Sequence, residues 1–250
     1  MTGHEILIGL DDTDNLTSRG TGYRARCLAR ALDQAGLAAV NSVTRHQLLV
    51  DDAIPYTSHN SSACISVRQA GSVDLPAIMG FCRDFLLHVA ADGSDVGLCA
   101  APGASAARVQ EFGRSAQTRV LQRCDAEELA LKESIPLEGL TGDHQGKIGA
   151  LAAIGLHSGG EDGRYLWLRG IRELEEETVS LGDLQKMTGV EVFRTLDGIP
   201  VSNPDQMIYL GPWPRPVRDG GKATLLLEKS HGADADWMVL DKESIKAYRP

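Results

Sequence analysis

Three aspartates fall within four positions at Asp11-Asp12-Thr13-Asp14, directly behind the apolar run Ile6-Leu7-Ile8-Gly9-Leu10. Such a run reads as a buried strand, and strand ends in open α/β sheets present side chains to ligands. Carboxylates and a hydroxyl are hard oxygen donors, the set that holds Mg²⁺ together with substrate phosphates. A lone Asp here would more simply cap a helix or turn. Three acids behind a buried strand point instead to a metal–nucleotide site near the N-terminus.

Four further groupings carry potential chemistry. Arg19-Gly20-Thr21-Gly22-Tyr23 follows the acidic turn. Its glycines let backbone approach a phosphate, and Thr21 stands where a helix begins, so its hydroxyl has three roles open to it: capping, binding phosphate or accepting one. Arg45-His46 and the run Pro55-Tyr56-Thr57-Ser58-His59-Asn60-Ser61-Ser62 concentrate polar groups before a strand. That run reads equally well as ligand recognition and as an exposed turn. Gly142-Asp143-His144-Gln145-Gly146-Lys147-Ile148-Gly149 is a glycine loop with a lysine entering a helix. It resembles a phosphate cradle but is no Walker A loop, because Ile148 stands where Ser or Thr would bind Mg²⁺. Asp92-Gly93-Ser94-Asp95 reads by default as an ordinary turn before a strand.

The 250 residues suffice for one large domain or two small ones. The formal net charge of −9 repels a polyanion on average, so a nucleic-acid role demands a local basic patch, and Lys and Arg occur only singly or in scattered pairs. The five cysteines include no CxxC pair, which argues against a zinc ribbon in this chain and points to a reducing, cytoplasmic setting. No membrane span or signal peptide is expected. Periodicity predicts helices over 22–35, 74–90, 105–123 with continuation through 130, 148–156 and 180–186. It predicts strands over 38–43, 46–50, 62–67, 96–100, 164–170, 207–210, 223–228 and 237–240. Mixed elements of this kind give an α/β or α+β class. An N-terminal α/β part over 1–136 and a C-terminal α+β part over 137–250 are expected, with interleaving of the two left open.

Taken together, Ile8-Gly9-Leu10-Asp11-Asp12-Thr13-Asp14 with the Thr21 segment, Pro55 to Ala63, and Ile148-Gly149-Ala150-Leu151-Ala152-Ala153-Ile154-Gly155 resemble the archaeal 2-agmatinylcytidine synthetases of a minor isoleucine tRNA, the TiaS family, over about residues 5 to 200. The resemblance implies an unusual ATP-using kinase domain with a mixed sheet, plus a ferredoxin-like domain. It implies chemistry in which a cytidine carbonyl oxygen is phosphorylated and an amine then displaces the phosphate. It places Mg²⁺ on Asp11, Asp12 and Asp14. Asp11, Asp12, Thr21 and Lys147 become the catalytic candidates. Thr13, Arg19, Gly20, Arg45, His59, Asn60 and Gly146 become the ATP and substrate contacts. Thr21 falls where the family carries a phosphorylated threonine, though the flanking motif and the preceding loop differ.

The C-terminal region has no cysteine after Cys124 and no room for both an OB-fold and a ribbon. The leading expectation is therefore an ATP- and Mg²⁺-dependent kinase or ligase acting on a small molecule. A tRNA-modifying catalytic subunit with its RNA grip on another polypeptide is the alternative, and a non-catalytic nucleotide-binding regulator a third. A homodimer is compatible with each.

Overall fold

Strand β1 (Glu5–Asp11) is buried on both sides from Ile6 to Leu10, which is why its sequence is continuously apolar rather than alternating. The computed structural model describes residues 5–54, 59–174, 176–232 and 234–247. The chain divides into two units, Met1–Gly159 and Gly160–Pro250. In the first, β1 is followed by α1 (Thr21–Gln34), β2 (Ala38–Gln47), β3 (Ser61–Gln69), α2 (Leu75–Val89) and β4 (Gly97–Pro102). The strands lie in the order β4-β1-β3-β2 and every pairing is antiparallel. A β-α-β-β-α-β chain with this order has the split, ferredoxin-like arrangement.

Ile6, Ile8 and Leu10 alternate with Leu7, Gly9 and Asp11 on the two faces of β1. Helices α1 and α2 pack against strands of the first unit's sheet, α1 on β2 and β3 and α2 on β4. Asp74 caps α2 by accepting from Ala77 N at 2.9 Å. The Leu7 face is covered by α6 (Gly146–Gly159), with α3 (Gly103–Ala106), α4 (Gln110–Ala116) and α5 (Arg123–Lys132) around it. A short strand, β5 (Leu137–Gly139), extends the sheet beyond β4.

The division between units differs from the expected break at 136/137. Residues 137–159 belong with the first unit because α6 lies directly on β1. A Cβ on Gly9 would come under 3.0 Å from the Ala150 carbonyl oxygen, so glycine is what lets helix and strand approach this closely. The Gly/Ala-rich sequence of α6 follows from that approach, and its residues from Gly149 to His157 are buried. The expected continuous helix over 105–130 is also interrupted. The chain turns between Ala116 and Arg123, where Gln122 and Asp125 form a reciprocal capping box that starts α5 afresh. The two expected strands over 38–50 are one strand, β2, bulged between Val40 and Ser42 and ending at Gln47.

The second unit comprises β6 (Arg164–Leu168), β7 (Thr178–Ser180), α7 (Leu181–Met187), β8 (Val192–Thr195), β9 (Met207–Tyr209), β10 (Val217–Asp219), β11 (Lys222–Lys229), β12 (Trp237–Val239) and α8 (Lys242–Ala247). Its strands run β6-β10-β11-β12-β9-β7, with β8 pairing β11 in parallel. Leu181, Leu184, Phe193, Ile208, Leu225 and Leu227 form its core. The chain is thus α/β with a mixed sheet. Among the described residues no helix is long and apolar enough to cross a membrane. Of the cysteines, Cys64, Cys82 and Cys99 are buried and Cys124 is exposed. Burial pushes the Cys82 thiol up to about 12.

Candidate functional site

Antiparallel pairing fixes what gathers at the end of β1. Asp11 sits opposite Gly97 of β4, and Leu10 opposite Ala63 of β3. The acidic turn 11–14, the turn 92–95, the start of β3 and the loop entering α6 therefore meet at one end of the sheet. Ala91 N donates to Thr13 O at 3.1 Å, Asn15 Nδ2 donates to Asp92 O at 3.2 Å, and Gly146 N donates to Asp95 O at 3.0 Å.

Asp11 is half-buried and its carboxyl packs against Gly149, where a Cβ would fall on the carboxyl itself. Desolvation, and then repulsion from Asp12, hold this carboxyl well above the usual range. Asp12 takes a left-handed backbone, with φ at 50°. Its Oδ2 accepts from Asp95 N at 3.3 Å. Desolvation and the nearby Asp95 and Asp14 charges outweigh that hydrogen bond and push Asp12 up to about 6. Asp95 completes the group: its Oδ1 accepts from Asp143 N in the α6 loop. The sequence alone places Asp95 in an ordinary turn. The signal that finds it is its position directly before the strand that pairs with the end of β1.

Asp14 does different work. Its Oδ1 accepts from Thr21 N at 3.0 Å and from Thr21 Oγ1 at 2.7 Å. Thr21 Oγ1 in turn accepts from Thr13 N and Thr13 Oγ1, both at 3.1 Å. Gly20 provides no side-chain cap, so Asp14 serves α1 as a cap reached from the preceding turn. Thr13 is fully buried and Thr21 nearly so, and the one hydroxyl proton of Thr21 points at Asp14. Asp14→Ala is expected to cost about 1 kcal/mol of stability, seen as a lowered urea midpoint, with Asp14→Asn partly preserving the cap. An unchanged midpoint for the alanine variant would refute the capping role.

The other expected site residues are placed as follows. Lys147 is the second residue of α6, beside Gly97, and its Nζ pairs with Glu127 of α5 at 2.7 Å. Arg123 also faces Glu127, at 3.4 Å, and donates to Asp143 O at 2.7 Å. Arg19 is exposed and stacks on Tyr23 at 4.6 Å. Arg45 lies on the α1 face of β2, paired with Ala63, and its Nε donates to Ser61 Oγ at 3.0 Å. It shares an end of the sheet with Asp11 but not a face. Asn60 Nδ2 donates to Leu49 O at 2.7 Å and shapes the loop next to exposed His59. The Pro55-Tyr56-Thr57-Ser58 portion of the polar run lies outside the described residues.

Two polar features on the α6 face belong to none of these motifs. Thr44 Oγ1 lies 2.8 Å from His46 Nε2 and 2.9 Å from His157 Nδ1, all fully or almost fully buried. Ser62, one register step past the Leu10–Ala63 pair, is buried, and its hydroxyl has no partner among the described residues.

Among the described residues no three His, Cys, Asp or Glu side chains converge as a self-sufficient metal cage. Mg²⁺ ordinarily takes only one or two carboxylates and completes its shell with phosphate oxygens and water. Asp11 and Asp12 fit that requirement. They are hard donors, crowded by like charge that a cation would neutralise, while Asp14 is largely committed to α1. The same crowding has a pH signature. A carboxyl raised from 3.8 to about 6 binds its proton more tightly in the folded chain. Its stability contribution is complete below about pH 4 and lost as pH rises through about 6. Without metal, Asp12→Asn should therefore gain stability over the wild type across that interval, by about 1–2 kcal/mol at pH 7 after discount for partial exposure. Urea denaturation at pH 4 and pH 7 checks this, and a difference that does not grow with pH would contradict it.

An acidic turn at the end of the central strand faces the glycine-rich start of α6, so hard oxygen donors and a helix N-terminus gather at one end of a ferredoxin-like antiparallel sheet. The solved structures this chain is similar to are more particular. They include the complex of TiaS with its isoleucine tRNA and ATP, at 24% identity and a TM-score of 0.55, covering 61% of this chain and 36% of that one. A tRNA fluorescent labeling enzyme matches at 25% identity and a TM-score of 0.54, covering 60% and 36%. The complex of TiaS with the same tRNA, AMPCPP and agmatine matches at 21% identity and a TM-score of 0.55, covering 73% and 44%. The chain thus has a TiaS-like fold and spans less than half the length of these proteins. No protein-family model matches it, and no curated protein does.

Proposed function

We propose that this chain is an ATP-using enzyme that activates an oxygen of an RNA base by phosphorylation, in the manner of a tRNA-modifying ligase or transferase. The observation that carries the reading is the shared fold with chains solved in complex with tRNA and ATP. The charge crowding at Asp11 and Asp12 supports it, because such a site is completed by a cation and a polyphosphate. A carbonyl oxygen is a poor leaving group and its phosphoryl ester a good one. The protein's task is therefore positioning and charge neutralisation.

In this reading Asp11 and Asp12 hold Mg²⁺, which when bound supplies charge neutralisation on the phosphates. The positive dipole end of α6 lies beside them. Lys147 neutralises phosphate charge after exchanging Glu127 for the nucleotide. Thr21 and Asp14 keep the acidic turn and α1 in register. Five cysteines without a CxxC pair fit a cytoplasmic enzyme.

A small-molecule acceptor is the second reading, and the net charge of −9 is the observation that favours it. The deciding experiment supplies the chain with Mg-ATP and either total tRNA or a metabolite pool, with and without simple amines, and follows phosphate release by ³¹P NMR. Release stimulated by tRNA and abolished by prior ribonuclease treatment supports the RNA reading. Release that only the metabolite pool stimulates transfers the function to a small molecule.

A further inference from the structure

A single-stranded RNA site on the second unit is the inference we propose, with Trp213 as its stacking platform. Trp213 is 49% exposed, an unusual position for the largest apolar side chain. Its neighbours Pro212, Pro214 and Pro216 restrict the backbone, so the indole is presented with little conformational freedom. The Arg172 guanidinium lies 4.2 Å from the ring centroid and that of Arg215 lies 5.4 Å away. Arg172 is itself fixed, since its Nε and Nη2 donate to Leu166 O at 3.1 and 2.8 Å.

The pairing of β6 with β10 assembles what the sequence leaves scattered. Arg164 sits opposite Val217, Tyr165 N donates to Pro216 O at 2.9 Å, and Arg218 N donates to Gly163 O at 2.8 Å. The segments 163–172 and 212–218 are thereby side by side. They contain arginines at 164, 169, 172, 215 and 218 and are bordered by Asp162, Glu173 and Asp219. Arg172 and Arg215 put two guanidinium groups at the indole itself, the local positive charge that a polyanion requires in a chain of net charge −9.

An exposed aromatic flanked by guanidinium groups is chemically matched to an unpaired nucleobase. The base stacks on the indole or on an arginine plane, and a neighbouring phosphate meets Arg215. A duplex keeps its bases stacked internally and has no free face to offer. The occupant is therefore an unpaired loop or end of an RNA. This inference rests on the RNA reading above and supplies a grip on RNA within the chain itself.

The test uses the full chain and a fluorescently labelled, unstructured RNA of about ten nucleotides. Binding is titrated at several salt concentrations for wild type, Trp213→Ala, Trp213→Phe and Arg215→Ala. Trp213→Ala should weaken binding at least about 10-fold with the salt slope unchanged, while Trp213→Phe retains most of the affinity. Arg215→Ala should reduce the slope by about 1. Should Trp213→Ala not fold, the Trp213 fluorescence, taken as wild type minus Trp213→Phe because Trp167 and Trp237 also emit, decides: RNA should quench it, and inorganic polyphosphate, carrying charge without bases, should not. Equal quenching by both, equal binding of duplex, or wild-type affinity in Trp213→Ala overturns the platform alone. A wild-type chain that binds no RNA overturns the platform and the RNA reading together.

Discussion

Asp12→Asn is expected to reduce ATP turnover at least about 100-fold while leaving the chain folded. The substitution is nearly isosteric, and asparagine accepts the left-handed backbone that Asp12 adopts at φ 50°, so the turn has no conformational reason to change. What it loses is one negative charge among Asp11, Asp12 and Asp95. That loss relieves repulsion in the empty chain and removes a cation ligand from the occupied one. Stability and activity should therefore move in opposite directions. A variant as active as wild type would remove the acidic turn from the chemistry. A variant both inactive and unfolded would make the turn structural.

Gly9→Ala is expected to destabilise the first unit by about 3 kcal/mol, lowering its thermal midpoint by about 6–12 °C. The added carbon would enter the backbone of α6 at Ala150, not the flexible tip of a side chain. The helix can yield only by lifting off β1, which also opens the packing of Ala150, Leu151 and Ile154 in the core. Gly36→Ala makes a useful contrast, because nothing lies near its added carbon and only its positive φ opposes the change. Differential scanning calorimetry of both variants decides the matter. Similar midpoints for the two would mean that close helix–strand approach is not what Gly9 provides.

The sequence makes some of this legible and hides the rest for physical reasons. β1, α1, α2 and β4 are readable because each buries a continuous run or a regular stripe. Close packing of α6 is readable from its run of Gly and Ala, but its partner is not, since nothing local names the strand it covers. The break after Ala116 is hidden by an amphipathic pattern that continues through it, and only the Gln122–Asp125 box marks the restart. The division of labour among the aspartates is not legible either. Asp11, Asp12 and Asp14 look alike in sequence, yet Asp14 faces the start of α1, Asp11 faces Gly149, and Asp12 faces Asp95 from a turn separated by 83 positions. The arginines around Trp213 escape notice in the sequence because they lie in two distant stretches joined only by the β6–β10 pairing.

The placement of β1 at the centre of its unit also bears on how the chain is made. β1 leaves the ribosome before β3 and β4, with which it pairs, and before α6, which covers its Leu7 face, so that face stays open until Gly159 has been synthesised. Contacts of such long sequence separation form late. The nascent chain must carry that hydrophobic face uncovered through most of the interval, which makes it a surface for a chaperone to shield.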